Sequence, residues 1–276
     1  MKFHLFLQTH LDNKQQESLN NIYKEKLPNY IDDITIYDVN KKRILTNIDN
    51  LNKYFSEYCM MYYLWKNKLY LNYDIISIGH YRRILNIQNL DINKYSNING
   101  VLFGIPREHY GNTLTYNNTL LIDDTKYKHI NAILNNCKMP LSIIQLFNKY
   151  LDLYYNDISY EKLNSEFQYN VHWFNIFICS NKEFNNLMQF LNGFILMLLD
   201  TYKLTYNSNK DDFNNFIENT GLYNFYNVYD DFSTIYTRSL GAIIELLTSF
   251  YFKNISKRNI DEICFENLIF IENAFN

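Results

Sequence analysis

The stretch from Asp74 to Arg83, DIISIGHYRR, joins a short apolar run to a group of polar residues. Residues 75–78, which include three β-branched Ile residues, are typical of a buried strand in a parallel sheet. The run stops at Gly79, and four side chains with polar groups follow: His80, Tyr81, Arg82 and Arg83. Because open α/β folds bind ligands at the carboxyl ends of such strands, we expect these side chains at a ligand-binding edge.

Arginine is scarce in this chain. Lys and Arg together number 26, but only six of them are Arg, and two of the six are adjacent at residues 82 and 83. The planar, forked guanidinium suits phosphate and carboxylate groups better than an ammonium does. Two interpretations stay open from position alone. The pair binds an anionic ligand, or it lies in a solvated turn or anchors a neighbouring carboxylate.

The composition narrows the class of protein. With 276 residues, 47% hydrophobic and 20% charged, the chain has an ordinary globular composition and can bury a substantial core. A net charge of −3, without a Lys/Arg stripe, argues against a nucleic-acid partner. The four cysteines are scattered and the N-terminus lacks signal-peptide features, so we expect a cytoplasmic protein with reduced thiols.

Several familiar motifs are missing from the sequence. It contains no P-loop, no G-x-G-x-x-G, no G-x-S-x-G elbow, no H-E-x-x-H and no D-x-D. The Asp doublets are typical of caps and turns. We therefore predict no metal ligands. No apolar run reaches the roughly 20 residues of a membrane span, which leaves only peripheral membrane association open.

The hydrophobic periodicity predicts one α/β domain over residues 1–276, with a mostly parallel or mixed central sheet flanked by helices. Strands are predicted at 2–8, 34–39, 74–83, 98–104, 171–179 and, as a strand or a helix end, 260–271. Helices are predicted after the first strand and at 57–66, 126–155 with a break at Pro140, 181–201 and 237–252. Loops are predicted at 43–52, 108–123 and 207–231.

Residues Asn47 to Arg83 resemble a bacterial and viral family regarded as glycosyltransferases and known mainly as a domain of unknown function from capsular and exopolysaccharide gene clusters. The matching residues are Asn47-Ile48, Asn52, Glu57, Tyr62, Trp65-Lys66-Asn67 and the HYRR motif His80-Tyr81-Arg82-Arg83. Further similar pieces are Thr9-His10, Asn175 to Ile178, and the run with Arg238, Gly241 and Glu245. Departures from the family pattern include Asp49 in place of Ser and Ser77 in place of Gly.

The resemblance implies a GT-A-like, nucleotide-sugar-dependent glycosyltransferase of hexosyltransferase type. Its partners would be a nucleotide-sugar donor and a glycan or lipid-linked acceptor, with no further cofactor and with a divalent metal left open. Because D-x-D is missing, we hypothesise that three residues at one strand end stabilise the departing nucleoside diphosphate by their charge. These are His80, Arg82 and Arg83.

Other roles follow from the same resemblance. Glu245 is the expected general base for the acceptor hydroxyl, with Glu57 as the second candidate. An ion pair of Glu245 with Arg238 or Arg83 is the structural alternative. Asn175 binds a sugar hydroxyl or is a satisfied core amide. The expected binding residues are Thr9, His10, Asn52, Glu57, Lys66, Asn67, Tyr81, Asn175 and Arg238, whereas Tyr62 and Trp65 are interpreted as core.

Two other functions stay open at this point. The first is a catalytically inactive nucleotide-sugar or glycan-binding module of the same fold. The second is a structural or interaction protein, a hypothesis suggested by the 17% aromatic content. Donor-dependent thermal stabilisation would distinguish the binder from the structural protein, and turnover would distinguish the enzyme from both.

Overall fold

The computed structural model describes residues 2–9, 13–26, 33–80, 83–85, 101–106, 139–156, 175–222, 239–256 and 263–270. Residues 25, 26, 33, 80, 83–85, 101–106, 239, 253 and 263–270 are described by their backbone alone. Predictions for residues 108–123 and 126–138 lie outside the described ranges. The extent of the single predicted domain, residues 1–276, stays a prediction.

Strands and helices alternate along the chain. The strands are β1 (Phe3–Thr9), β2 (Asp33–Asp38), β3 (Ile75–His80), β4 (Arg83–Leu85), β5 (Val101–Pro106), β6 (Phe177–Ser180) and β7 (Ile263–Phe270). The helices are α1 (Asn13–Lys26), α2 (Asn52–Phe55), α3 (Tyr58–Lys66), α4 (Leu141–Tyr154), α5 (Asn181–Thr201), α6 (Lys210–Thr220) and α7 (Ser239–Phe250), which a π-helical turn, Tyr251–Ile255, extends. Short 3₁₀ turns cover Asp49–Leu51 and Leu69–Asn72.

The described strands form one mixed sheet in the order β2-β1-β3-β4-β7-β5-β6, in which β6 also pairs with β3. β1 runs parallel to β2 and β3, whereas β4 and β6 run antiparallel to β3. The predicted α/β fold with a mixed sheet is therefore confirmed. All seven residues of β1 are buried, as expected for a strand covered on both faces of a parallel sheet.

The helices bury the faces that their periodicity predicts. On α5 the predicted apolar residues are all at most 2% exposed: Phe184, Leu187, Met188, Leu191, Ile195 and Leu198. Ser180 caps this helix, since its Oγ accepts a hydrogen bond from the Glu183 amide at 3.2 Å. Tyr62 is buried, and Trp65 packs against the core while its Nε1 donates to Asn185 at 3.0 Å. Both aromatic side chains are thus core residues, as interpreted from the sequence.

The predicted loop over 207–231 is wrong for its central part, which forms α6. Asn209 and Asp212 make reciprocal capping hydrogen bonds at its start, and Gly221 ends it in the left-handed conformation with φ 72°. Phe213, Phe216 and Ile217 bury one face of the helix. The capping box and the apolar spacing are both visible in the sequence. The prediction of a loop rested instead on the polar composition of this region.

Other boundaries also differ from the predictions. Of the strand predicted at 171–179, residues 171–174 lie outside the described ranges, and β6 begins at Phe177; β4 and the short helix α2 were not predicted. The strand predicted at 74–83 is β3, which includes Gly79 and ends at His80. Gly79 is paired with Leu7 of β1. A Cβ atom at this position would lie 2.5 Å from Cδ2 of Leu7 and 3.1 Å from Cδ1 of Leu5.

We expect Gly79→Ala to lower the free energy of unfolding by about 1–3 kcal/mol, a typical cost of overpacking a filled core. Leu5 and Leu7 are 4% and 0% exposed, so neither has open space to move into. Urea denaturation measures the change. Ser77→Ala, in the same strand, adds no atom and serves as the control. Equal stability of Gly79→Ala and the parent protein would contradict the packing described for this strand.

Candidate functional site

The carboxyl ends of three parallel strands meet at one edge of the sheet. The chain runs from β1 through α1 to β2 on one side of β1, and later enters β3 on the other side. The order of the strands therefore reverses between β1 and β3, and open α/β sheets bind ligands at such a switch point. In the register, Thr9 lies beside Asp38 of β2, and Gln8 lies beside His80 of β3. Thr9 and His80, two predicted site residues, thus end neighbouring strands.

The HYRR motif connects two strands at this edge. His80 ends β3 and is paired with Arg83, the first residue of the antiparallel strand β4. Arg83 is also paired with Phe270 of β7. Tyr81 and Arg82 lie outside the described residues, as do the predicted site residues His10 and Arg238. The backbone pairing therefore positions both ends of the motif at the carboxyl end of β3.

Asn175 is a buried residue, and among the described residues neither its side-chain Nδ2 nor its Oδ1 has a hydrogen-bond partner. It is 1% exposed and has a left-handed backbone, φ 48°, a conformation that Asn tolerates better than most residues. An unsatisfied buried group costs about 1–3 kcal/mol. Among the described residues nothing satisfies this amide, and both interpretations from the sequence, a sugar-binding residue and a core amide, stay predictions.

Asn175 lies at the same end of β3 as His80. The antiparallel ladder between β3 and β6 runs from Ile75 opposite Ser180 to Ile78 opposite Phe177. Asn175 precedes Phe177 by two residues, and His80 follows Ile78 by two residues. The two predicted site residues thus both lie just beyond the last pair of this ladder.

A buried glutamine, which sequence reasoning did not single out, ties the end of β1 to the following helices. Gln8 is 8% exposed, and its Nε2 donates to Oδ1 of Asn52 at 2.7 Å. Its Oε1 accepts from the Met60 amide at 3.1 Å. The signal available in the sequence was a polar residue within an otherwise apolar strand. Asn52 thus has a role in the fold, and its predicted role in binding stays a prediction.

The scarce arginine Arg43 is fully engaged within the fold. Its Nη1 forms an ion pair with Asp49 at 2.8 Å and its Nη2 donates to the Asp38 carbonyl at 2.7 Å. The guanidinium also lies over the Tyr37 ring, 3.6 Å from the ring centre. Burial and the hydrogen bond to Asp49 raise the pKa of Tyr37, so its hydroxyl donates to Asp49 at neutral pH. This cluster orders the segment after β2.

The other residues of the sequence motif lie around α3. Asn67, just after the helix, donates from its Nδ2 to the carbonyls of Thr46 at 2.7 Å and Tyr63 at 2.8 Å. Lys66 is exposed in the last turn, and Glu57 is half-buried just before the first. Asn67 therefore fixes the preceding loop against α3. The binding roles of these residues stay predictions.

The two candidate general bases lie on segments that contact each other. A Cβ atom at Gly241 of α7 would lie 3.0 Å from Oγ of Ser56, so α7 closely approaches the junction between α2 and α3. Glu245 follows Gly241 by one helical turn on the same face, and Glu57 follows Ser56 directly. Glu245 is half-buried. The segments that carry Glu57 and Glu245 are thus in contact with each other.

Within the described ranges, no group of three or more His, Cys, Asp or Glu side chains could hold a metal ion. Cys59 and Cys179 are buried and do not form a disulfide with each other, and burial raises the pKa of the Cys59 thiol. None of the helices in the described part of the chain is long and apolar enough to cross a membrane.

Residues 32–217 match the model of a family described as "Domain of unknown function (DUF4422)". This match covers more than half of the chain. The chain belongs to the DUF4422 family. The matched region of this DUF4422 chain contains β2, β3 with the HYRR motif, and Asn175. The expectation of a family known as a domain of unknown function is confirmed, whereas the roles of the HYRR residues stay predictions.

A solved structure similar to this DUF4422 chain is the apo structure of WbbM, described as a bifunctional glycosyltransferase. The TM-score is 0.48 at 14% sequence identity, and the match covers 99% of this chain and 46% of WbbM. This chain thus spans under half the length of that protein, and so distant a likeness is no evidence for a shared activity. No curated protein matches this chain.

Proposed function

We propose that this DUF4422 protein is a glycosyltransferase that moves a hexosyl group from a nucleotide-sugar donor to a glycan or lipid-linked acceptor. The observation that carries the proposal is the grouping of polar residues at the carboxyl end of β3. The strand ends at Thr9 and His80 are neighbours at the switch point, and Asn175 lies next to this edge with an amide that has no hydrogen-bond partner among the described residues. Such a switch point is where α/β enzymes bind nucleotides.

The chemistry of the HYRR motif suits a departing nucleoside diphosphate. Negative charge develops on the diphosphate as the bond to the sugar breaks, and fixed cationic donors stabilise that charge. The guanidinium groups of Arg82 and Arg83 supply forked donors for phosphate oxygens. The pairing of His80 with Arg83 holds the motif at the strand end. We assign the stabilisation of the leaving-group charge to these residues, and the participation of a divalent metal is left open.

The Asn175 amide suits the sugar part of the donor better than the diphosphate. Its Nδ2 donates and its Oδ1 accepts, so both atoms are satisfied by a ligand group that also donates and accepts. A hydroxyl does both, whereas an ionised diphosphate offers acceptors only. Asn175 is therefore assigned to a hydroxyl of the sugar or of the ribose.

The acceptor hydroxyl must lose a proton during an inverting transfer, and a half-buried carboxylate is suited to accept it. We assign this role to Glu245, with Glu57 as the second candidate. Cys59 and Cys179 are buried and not joined by a disulfide, which fits the reducing cytoplasm in which we place the reaction.

A thermal-shift panel of UDP-, GDP-, CMP- and dTDP-sugars, each beside its nucleotide alone, tests the proposal. We expect one nucleotide series to raise the melting temperature, with the sugar nucleotide more effective than the nucleotide. Asn175→Gly, which accommodates the left-handed backbone, should lose the difference between the two. Leu196→Ser, at an exposed position of α5, is the control. Sugar transfer or donor hydrolysis is then measured with the active donor.

The outcomes separate the alternatives. Stabilisation without turnover, across the glycan and lipid-linked acceptors tried and in donor hydrolysis, would indicate an inactive binding module. A panel in which no donor or nucleotide stabilises the protein would contradict a nucleotide-sugar site and favour a structural or interaction protein.

A further inference from the structure

The loop that follows β2 exposes two adjacent aliphatic side chains. Ile44 is 104% exposed and Leu45 is 46% exposed, and Lys41 and Lys42, which Arg43 separates from them in the chain, are exposed as well. Isolated exposed aliphatic residues are common on protein surfaces. Two consecutive ones at a loop tip, beside two lysines, form a surface that is both apolar and cationic.

Hydrogen bonds on both sides hold this tip in its outward position. Arg43 donates from Nη1 to the Lys41 carbonyl at 2.9 Å, besides its bonds to Asp38 and Asp49. On the other side, the side-chain Nδ2 of Asn47 donates to the Leu45 carbonyl at 2.9 Å. The two aliphatic side chains are thus exposed on a loop that hydrogen bonds hold in place.

A second pair of lysines lies beside the loop. Asn67 donates to the Thr46 carbonyl at 2.7 Å, and its chain neighbours Lys66 and Lys68 are both exposed. Leu71, in the following 3₁₀ turn, is 58% exposed. We call this surface the basic-apolar patch, and it consists of Lys41, Lys42, Ile44, Leu45, Lys66 and Lys68.

The charge around the patch differs in sign from that of the whole chain. Residues 39–73 contain six Lys and Arg residues against two acidic residues, a net charge of +4, whereas the chain carries −3. One acidic residue, Asp49, is neutralised by Arg43 at 2.8 Å. The other, Glu57, precedes the start of α3, whereas the patch lies at its end. The four lysines of the patch therefore face solvent without a nearby acidic partner among these residues.

We propose that the basic-apolar patch docks the protein on an anionic membrane surface. Ile44 and Leu45 enter the boundary between headgroups and acyl chains, while the four lysines lie at the level of the lipid phosphates. An exposed aliphatic pair next to exposed lysines matches a planar anionic interface. Insertion of this loop tip also removes the exposed side chains of Ile44 and Leu45 from water.

The loop of the patch contains none of the predicted site residues, whereas Lys66, at the end of α3, is also a predicted binding residue. α3 begins beside the site edge, where the Met60 amide binds Gln8, and it ends at Lys66 in the patch. Nine residues of helix span about 13 Å. Docking through Lys41, Lys42, Ile44 and Leu45 is thus distinct from donor binding, and it goes beyond the proposed transferase activity.

Co-sedimentation with vesicles tests the docking. We expect the protein to bind vesicles of phosphatidylcholine mixed with phosphatidylglycerol, to bind more weakly as salt is raised, and not to bind phosphatidylcholine alone. Lys41→Gln/Lys42→Gln should weaken binding about 25-fold, at about fivefold for each lysine. Ile44→Ser/Leu45→Ser should weaken it by roughly tenfold or more. Lys182→Glu/Leu196→Ser, at exposed positions of α5, should bind like the parent.

Each alternative outcome has a definite meaning. The altered side chains are exposed, so all variants should keep the parental melting temperature and donor-induced shift. Parental binding by both patch variants, or equal binding to neutral vesicles, would overturn the proposal. Capture by immobilised polyglutamate without binding to anionic vesicles would also overturn it, and would assign the patch to an acidic protein. The donor shift reports on the transferase site separately.

Discussion

Replacing Arg82 or Arg83 by alanine is expected to lower kcat for sugar transfer about 10²–10³-fold, the typical loss when one fixed donor to a developing negative charge is removed. The reason is that the guanidinium groups contact the leaving diphosphate more strongly in the transition state than in the bound donor. The loss should therefore appear mainly in kcat, with a smaller change in KM. Steady-state transfer assays with the donor identified by the thermal panel measure both.

Lysine at the same positions distinguishes charge from geometry. Arg82→Lys and Arg83→Lys keep the positive charge but lose the forked donors, so we expect a partial loss of activity. Arg258→Lys, at an arginine without an assigned role, is the matched control. Parental rates for both lysine variants, or complete loss of activity on adding EDTA, would contradict a diphosphate held by guanidinium charge.

Glu245→Gln is expected to lower kcat about 10²–10⁴-fold, the usual contribution of a general base. Glutamine is nearly isosteric with glutamate but does not accept the acceptor's proton. The variant should therefore also lose the acidic limb of the pH–rate profile, which reports the titration of the base. A residue that only shapes the site through an ion pair would change KM or stability and leave that limb in place.

Glu57→Gln is the internal comparison, because Glu57 lies on the segment that packs against α7. If Glu57→Gln loses the acidic limb and Glu245→Gln keeps it, the roles of the two carboxylates are exchanged. Unchanged turnover in both variants would contradict general-base catalysis by either residue. Melting temperatures measured in parallel separate these effects from loss of the folded state.

Local pattern was sufficient for much of the fold. The apolar run before His80 predicted β3, and the spacing of apolar residues predicted α3, α5 and α7 within a few residues. These elements follow the local period because one face of each is buried. α6 was missed although its capping box and apolar spacing are local, since the surrounding polar residues suggested a loop. β4 was missed because three residues carry too little periodicity to stand out.

The sequence by itself determined that this is an α/β protein, that a basic motif follows β3, and that the scarce arginines mark that motif. Only the tertiary structure decided which polar groups are used by the fold. Arg43 pairs with Asp49 and lies over the Tyr37 ring. Gln8 forms a hydrogen bond with Asn52, 44 residues away. The Asn175 amide, beyond the end of β3, is unpaired within the part of the chain that the structure describes. Periodicity reports burial along one element, whereas hydrogen-bond partners come from distant segments that meet only in the folded chain.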